Sequence, residues 1–374
     1  MIPFSKTQNQ KNDLSNIKKA LSLGKIEGGG HFSSKVNFQM ESLGFRNSLL
    51  TTSCTTALEM SAILLDLKPG DEVIMPSYTF VSTANAFLLR GCIPVFVDVC
   101  KNDLNIDPNL VENAITSKTK AIAVVHYGGV SCDMNKISNL AKKYKLHVIE
   151  DAAQCIGAFF NNKPLGSIGT FGALSFHNTK NISSGEGGAL IINNSKFVKR
   201  ANIIHEKGTN RHDFKMGKVS KYVWKDIGSS YILSDLSCAV LESQLSNLTK
   251  ITNARLKIWN QYNSFCTNHS KHNNFFNLQT IPSYASHNGH LYYLLFRSKL
   301  LAKKFNTTMN SFGVQTASHY VGLHSSYYGK KNSRHQGAMK NTNKASNCLI
   351  RLPIWEGLDT SYVIDAMSKS LKKL

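Results

Sequence analysis

From residue 72 to residue 176 the sequence alternates short apolar runs with helix-patterned segments, an order that few folds accept. Glu72-Val-Ile-Met75, Ile93-Pro-Val-Phe-Val97, Ala121-Ile-Ala-Val-Val125, His147-Val-Ile-Glu150 and Phe171-Gly-Ala-Leu-Ser-Phe176 are too short for helices and read as buried strands. Pro108–Ile115 and Met134–Tyr144 between them read as helices. Strands that alternate with helices form a parallel sheet, so the expected class is α/β with a mostly parallel sheet. A long helical pattern (Leu236, Val240, Leu241, Leu245, Leu248, Ile251) then leads into a less periodic, Asn-rich stretch with a strand at Leu291–Phe296. The expected division is a large domain over residues 1–245 and a smaller α+β domain over residues 246–374, a length with ample core for both.

Chemistry concentrates where two of these strands end. The run that includes Phe171, Ala173, Leu174 and Phe176 delivers a lone Lys180 among polar neighbours, followed by the glycine-rich turn Ser183-Ser-Gly-Glu-Gly-Gly188. A lysine after a strand is more often a solvated strand end. A desolvated one, however, has a lowered pKa and an amine nucleophilic enough to hold an aldehyde as a Schiff base. The preceding strand ends in Glu150-Asp151. An aspartate there often caps a helix, but at the carboxyl end of a strand it can also face a cofactor crevice and keep a pyridine nitrogen protonated. A Schiff-base lysine with an aspartate partner is the recurring apparatus of pyridoxal 5'-phosphate (PLP) enzymes.

The ordered set Glu150-Asp-Ala-Ala-Gln154, Ser175-Phe-His-x-x-Lys180-Asn181 and Gly185-Glu-Gly-Gly188 resembles that of the DegT/StrS-type nucleotide-sugar aminotransferases, a branch of the fold-type I PLP enzymes. Within that family it is most similar to the branch that makes dTDP-4-amino-4,6-dideoxygalactose. The likeness runs from Met1-Ile-Pro-Phe4 to about Leu358 and is strongest from Leu50 to Leu245. It implies the fold-type I aminotransferase architecture, PLP as cofactor, Lys180 as the catalytic lysine and Asp151 as the partner of the ring nitrogen.

Further roles come from the resemblance and not from the residues alone. Ser53, Cys54 and Thr55, which by themselves read as a helix cap, become the cradle of the cofactor phosphate at a helix start. Phe80, otherwise a core aromatic, becomes the ring stacked on the pyridine face. Ser175 joins the cofactor set. Gln154 stands where many relatives have His, and Ser230 where many have Asn; a Gln amide and a Ser hydroxyl can still hydrogen-bond the cofactor. Ser230 would serve the neighbouring subunit of a homodimer with shared active sites. His319 and Tyr320 become candidate sugar or diphosphate contacts. Arg211, in the polar loop from Lys207 to Tyr222, is a further candidate for the diphosphate. His126 is assigned local hydrogen bonds and no chemistry, and no metal site is expected.

The activity implied is transfer of an amino group from glutamate to a dTDP-4-keto-6-deoxyhexose. The product would be a dTDP-4-amino-4,6-dideoxyhexose, galacto in preference to gluco, for surface polysaccharide or O-antigen synthesis. A 3-keto or a UDP- or GDP-linked substrate would share every motif. A dehydratase of the same fold carries His at the position of Lys180, a non-catalytic regulator needs no such lysine, and no strand leads into the G-x-G-x-x-G of a dinucleotide-binding oxidoreductase. The net charge of +21 invites a nucleic-acid reading, but the lysines are dispersed, so neither nucleic acid nor membrane is an expected partner. Eight scattered cysteines without a C-x-x-C pair, and a start without an apolar signal core, point to a reduced, cytoplasmic setting.

Overall fold

The computed structural model describes residues 1–270 and 274–374. Helices α1 (Asp13–Ser22) and α2 (His31–Ser42) precede β1 (Ser48–Thr51), α3 (Cys54–Leu64), β2 (Glu72–Pro76), α4 (Val81–Leu88) and β3 (Ile93–Val97). Next come α5 (Pro108–Val111), β4 (Thr119–Val125), α6 (Met134–Tyr144), β5 (His147–Asp151), the small hairpin β6 (Phe159–Phe160) and β7 (Lys163–Pro164), β8 (Phe171–Ser175) and β9 (Gly188–Ile192). Helices α7 (Val198–His205), α8 (Arg211–Lys215), α9 (Asp235–Ser246) and α10 (Leu248–Ser270) lead to β10 (Phe276–Leu278), β11 (Ala285–Ser286), β12 (Tyr292–Phe296) and α11 (Lys299–Ser311). The chain closes with α12 (Tyr327–Asn332), β13 (Arg334–His335), α13 (Lys340–Cys348), β14 (Leu349–Leu352) and α14 (Thr360–Leu371).

The main sheet has the order β1-β9-β8-β5-β4-β2-β3-β13. From β8 through β5, β4, β2 and β3 to β13 every pairing is parallel; β9 runs against both of its neighbours, β8 and β1. Alternation along the strands explains why they read as continuous apolar runs. Ile74, Val95, Val97, Ile122 and Val124 enter the core on one face of the sheet. Val73, Met75, Phe96, Ala121 and Ala123 enter the core on the other. A sheet covered on both faces needs apolar residues at every position, and the class is α/β as expected.

The reversed β9 has a local cause. No helix intervenes between β8 and β9, and the ladder continues beyond them, with Phe176 N–H donating to Gly187 O and Asn178 N–H to Gly185 O, both at 2.8 Å. Lys180 therefore sits in the loop of a β8–β9 hairpin, five residues beyond the last strand residue. Gly188 lets α3 start directly against this hairpin: a Cβ there would lie 2.3 Å from the Ser53 carbonyl carbon and 2.4 Å from the Cys54 nitrogen.

The C-terminal part builds a second antiparallel sheet, β10-β12-β14, over its own apolar core, which includes Phe296, Phe305 and Met367. It is tied back at several places, among them the pairing of β11 with β6. Strand β13 extends the main sheet beside β3, and Arg334 forks onto Glu72 of β2 with both N–O distances at 2.7 Å. The N-terminus crosses to this part through a bridge between Ile2 and Val314. Three helical readings are refined: the segment from Pro108 is one α-helical turn followed by a 3-10 turn at Glu112–Ala114, the long pattern breaks at Asn247 into α9 and α10, and the polar loop after Lys207 contains α8. Among the described residues no helix is long and apolar enough to cross a membrane.

Candidate active site

In open α/β sheets, ligands collect at the carboxyl ends of the strands. Here Val125, Asp151 and Ser175, the last residues of β4, β5 and β8, line one cavity of about 500 Å³. The starts of α3 and α4, the β8–β9 loop, β14 and the N-terminal segment complete its walls.

Asp151 is buried, and its carboxylate is fixed from two sides. Thr83 Oγ1 donates to Oδ2 at 2.6 Å, short enough for a charge-assisted bond, and Ala153 N–H donates to Oδ1 at 3.2 Å. Thr79 Oγ1, 2.8 Å from Thr83 Oγ1, completes a buried hydroxyl relay behind the carboxylate. Lys180 faces the same cavity, and burial pushes its amine below the usual lysine range, opposed in part by Cys54 and by Asp151. This is the desolvated amine that the chemistry requires.

Helix α3 begins with a capping box: Ser53 Oγ accepts from Thr56 N–H at 3.1 Å, and Thr56 Oγ1 accepts from Ser53 N–H at 3.1 Å. The cap leaves the N–H groups of Cys54 and Thr55, at the first two helical positions, without intrahelical partners. They and the helix dipole form an anion-binding end at the cavity wall. Phe80 is the N-cap of α4 and is 56 % exposed, and its ring is an open wall of the cavity.

Gln154 is held by Gly128 N–H donating to its Oε1 at 2.6 Å, while its Nε2 donates to the Tyr320 hydroxyl at 3.1 Å. His319 stacks on Tyr320 at 3.7 Å between ring centroids and is hydrogen-bonded through Nδ1 to the Tyr127 hydroxyl at 2.6 Å. Burial, reinforced by Arg351 and Lys180, holds the His319 pKa well below the ordinary histidine value. Ser53, Cys54, Thr55, Phe80, Asp151, Gln154, Ser175, Lys180, His319 and Tyr320 thus converge on one cavity. Two sequence candidates do not line it. Ser230 pairs with Glu206, and Arg211 lies 3.4 Å from the Glu206 carboxylate, which Lys215 also reaches at 2.8 Å. His126 has the local role expected of it, with Nε2 bonded to Glu150 at 3.0 Å and Nδ1 accepting from Cys132 N–H at 3.1 Å.

Several lining residues escaped the sequence reading. Phe4 to Gln8 run along the cavity, anchored by Thr7 Oγ1 donating to Asn178 at 2.5 Å and Gln8 Nε2 donating to Glu356 O at 2.8 Å. Arg255 from α10, His290 and Arg351 from β14 also line it. The one available signal was Arg351, a cation inside the otherwise apolar run Leu349-Ile-Arg-Leu352.

These donors fit a phosphorylated pyridine aldehyde. Free N–H groups at a helix start suit the phosphate, a buried carboxylate suits a protonated ring nitrogen, an open aromatic face suits the ring and a desolvated amine suits the aldehyde. Residues 7–369 match the DegT/DnrJ/EryC1/StrS aminotransferase family. The chain belongs to that family. It is 33% identical over 344 residues to the uncharacterized protein MJ1066 of Methanocaldococcus jannaschii, covering 89% of this chain and 86% of that protein. Among solved structures it is similar to Helicobacter pylori PseC, an aminotransferase involved in the biosynthesis of pseudoaminic acid, with a TM-score of 0.89, 25% identity and 100% of both chains covered. It also shares its fold with the PLP form of Spr1654 from Streptococcus pneumoniae, provisionally named a sugar aminotransferase, with a TM-score of 0.87, 23% identity and coverage of 100% and 99%. The chain is therefore a PLP-dependent aminotransferase of the α/β fold expected from its sequence.

Proposed function

We propose that this aminotransferase moves an amino group from glutamate to a 4-keto-6-deoxyhexose carried on dTDP. The product is a dTDP-4-amino-4,6-dideoxyhexose, with the galacto isomer preferred, for a surface polysaccharide such as O-antigen. The observation that carries the chemistry is that desolvated Lys180, buried Asp151 and the open start of α3 share one cavity. The sugar class is supported by the motif resemblance from Glu150 to Gly188 and by the provisional name of Spr1654. A cavity lined by Lys6, Arg255 and Arg351 also suits an anionic substrate.

In this reading PLP, when bound, supplies the electron sink that lets the C–H bond beside the transferred nitrogen ionise. Asp151, oriented by Thr83, holds a proton on the ring nitrogen. Lys180 holds the cofactor between turnovers and, once the donor takes its place, moves the proton at the reacting carbon, work suited to an amine of lowered pKa. The N–H groups of Cys54 and Thr55, with the Ser53 and Thr55 hydroxyls, bind the phosphate. Phe80 covers the ring face, and Ser175 and Gln154 complete the cofactor contacts. His319 and Tyr320 contact the sugar or its diphosphate. Ser230, away from this cavity, serves across the interface of a homodimer with shared sites, and Arg211, also away from it, is kept as a candidate contact of the diphosphate. The large unit over residues 1–245 carries the cofactor, and the smaller unit over 246–374 closes the substrate side. Eight free thiols suit a cytoplasmic enzyme.

The test is mass spectrometry of dTDP-4-keto-6-deoxyglucose incubated with the enzyme, PLP and glutamate, with Lys180→Ala as control. Conversion of ketone to amine that vanishes in the variant supports the reading, and proton couplings at the aminated carbon distinguish galacto from gluco. If that sugar is not converted while a UDP-, GDP- or 3-keto sugar is, the substrate assignment falls.

A further inference from the structure

Asn181, the residue after Lys180, fixes the protonation of a histidine in the same cavity. Asn181 Nδ2 donates to the Asn288 carbonyl at 3.1 Å, so its Oδ1 is the atom that meets His290 Nδ1 at 2.9 Å. Asn288 is oriented as firmly: its Nδ2 donates to Gln154 O and Ile156 O, both at 2.9 Å, and its Oδ1 accepts from His290 N–H at 3.1 Å. An amide oxygen can only accept, so His290 Nδ1 carries a hydrogen. Burial, reinforced by Lys180, Arg255, His319 and Arg351, holds the His290 pKa well below the ordinary histidine value, so the ring is neutral and has one N–H. Nε2 is therefore a bare lone pair. It has no hydrogen-bond partner among the described residues and is not sealed from the cavity, which His290 lines together with Lys180.

The other imidazoles and carboxylates of the cavity are engaged. His319 Nδ1 faces the Tyr127 hydroxyl, His177 Nε2 lies 3.4 Å from Glu186, Glu356 lies 3.0 Å from Lys250, and Asp151 accepts from Thr83 and Ala153. Lys180 Nζ has neither an ion pair nor a hydrogen bond among the described residues. A lysine that holds a cofactor only between turnovers is a free amine for part of each one, and its N–H groups then need an acceptor. A carboxylate in that role would favour the ammonium and spoil the base, whereas a neutral imidazole nitrogen accepts from amine and ammonium alike. We infer that His290 Nε2, bared by Asn181, is the acceptor that receives the Lys180 amine while that amine is free of the cofactor. Asn181 is then a positioning residue: the loop that carries the lysine also sets the tautomer of its acceptor, which stands just before β12 of the second sheet. The inference rests on Lys180 being the lysine that holds the cofactor, but not on the identity of either substrate.

The experiment uses the full chain without cofactor and compares two variants. His290→Gln and His290→Leu are close in size and both lose the bond to Asn181, but only glutamine offers an oxygen in place of Nε2. The Lys180 pKa is read from the pH dependence of its acylation, followed by peptide mass mapping. A hydrogen bond to the ammonium favours the charged form, so the pKa in His290→Leu is expected about one pH unit below that in His290→Gln, which should stay near the wild type. Cys54, Asp151, Cys155 and Arg351, the other groups that act on Lys180, are the same in both variants and cancel in the comparison. Equal Lys180 pKa values in the two variants would overturn the inference, because a merely structural histidine would be missed equally in both. Nitrogen NMR of the wild-type protein needs no variant and decides the matter if neither folds: a hydrogen on Nδ1 and a bare Nε2 are expected, and a hydrogen on Nε2 would overturn the inference. In the PLP-loaded enzyme the half-reaction with glutamate, followed by the cofactor's absorbance, should be about 10-fold slower in His290→Leu than in His290→Gln at an unchanged apparent Kd for glutamate. Failure of the wild-type enzyme to react with any amino acid would remove the aminotransferase reading itself, a result that the cofactor-free measurements keep separate.

Discussion

Replacing Gly188 by alanine tests how the glycine-rich turn builds the site. The new Cβ would meet only backbone, at 2.3 Å from the Ser53 carbonyl carbon, 2.4 Å from the Cys54 nitrogen and 2.6 Å from the Ser53 oxygen. Neither side can rotate away. Gly188 is paired with both Thr51 and Ser175 in the sheet, and Ser53 is locked by its capping box with Thr56. The first turn of α3 must therefore retreat by about 1 Å to restore ordinary contact. Overpacking of this kind costs about 1–3 kcal/mol of stability. A displacement of 1 Å at the phosphate-binding N–H groups lowers catalytic efficiency by roughly 100-fold. The control is Gly185→Ala in the same turn, where no atom lies within 4 Å and only the positive φ of 82° is strained. PLP titration by fluorescence and the transamination rate should place Gly188→Ala well below Gly185→Ala. If Gly188→Ala binds PLP as the wild type does, the start of α3 is not the phosphate cradle.

Two further outcomes follow from charges in the fold. In the cofactor-free protein Lys180→Met should raise stability at neutral pH, because the folded state lowers the lysine pKa and so penalises its charged form. The gain is full below that lowered pKa, fades as pH rises through it and is gone above about 10.5, with each unit of lowering worth about 1.4 kcal/mol; urea denaturation across pH checks it. Arg334→Gln should cost about 3 kcal/mol, since it strips the fork from Glu72, which is 5 % exposed. Hydrogen bonding to Arg334 holds the Glu72 pKa below the usual carboxylate value, so this contribution is present above about pH 4.5 and lost as pH falls through the lowered value. Acid unfolding of the variant should accordingly begin from a lower plateau and fall less steeply.

The parts of the molecule that repeat a local rule were legible in the sequence. Strands β2, β3, β4, β5 and β8 declared themselves because a sheet buried on both faces leaves no polar positions to confuse the pattern. Lys180 and Asp151 stood out for a related reason: Asp151 is an ionisable group that ends one such run, and Lys180 is one in the loop that follows another. What the sequence did not disclose depends on distant segments meeting. Strand β13 is two residues long, and nothing in Arg334-His335 signals that it will extend the main sheet beside β3. Arg255 lies on a helix of ordinary composition and becomes a cavity residue only because its guanidinium is drawn onto the carbonyls of Gly289, His290 and Ile354. Phe4 reaches the site because Ile2 pairs with Val314, a contact across nearly the whole chain. Phe80 was given a place at the site only through the family resemblance, because periodicity cannot distinguish a ring that fills the interior from one that lines a cavity.

The central claim is that Lys180 is the residue that holds PLP. Reduction of the PLP-loaded enzyme with borohydride, followed by proteolysis and peptide mass mapping, tests it without assuming a substrate. The account predicts that the pyridoxyl group is fixed to Lys180 alone and that Lys180→Ala yields no modified peptide. Modification of another lysine, with Lys180 left free, would contradict it.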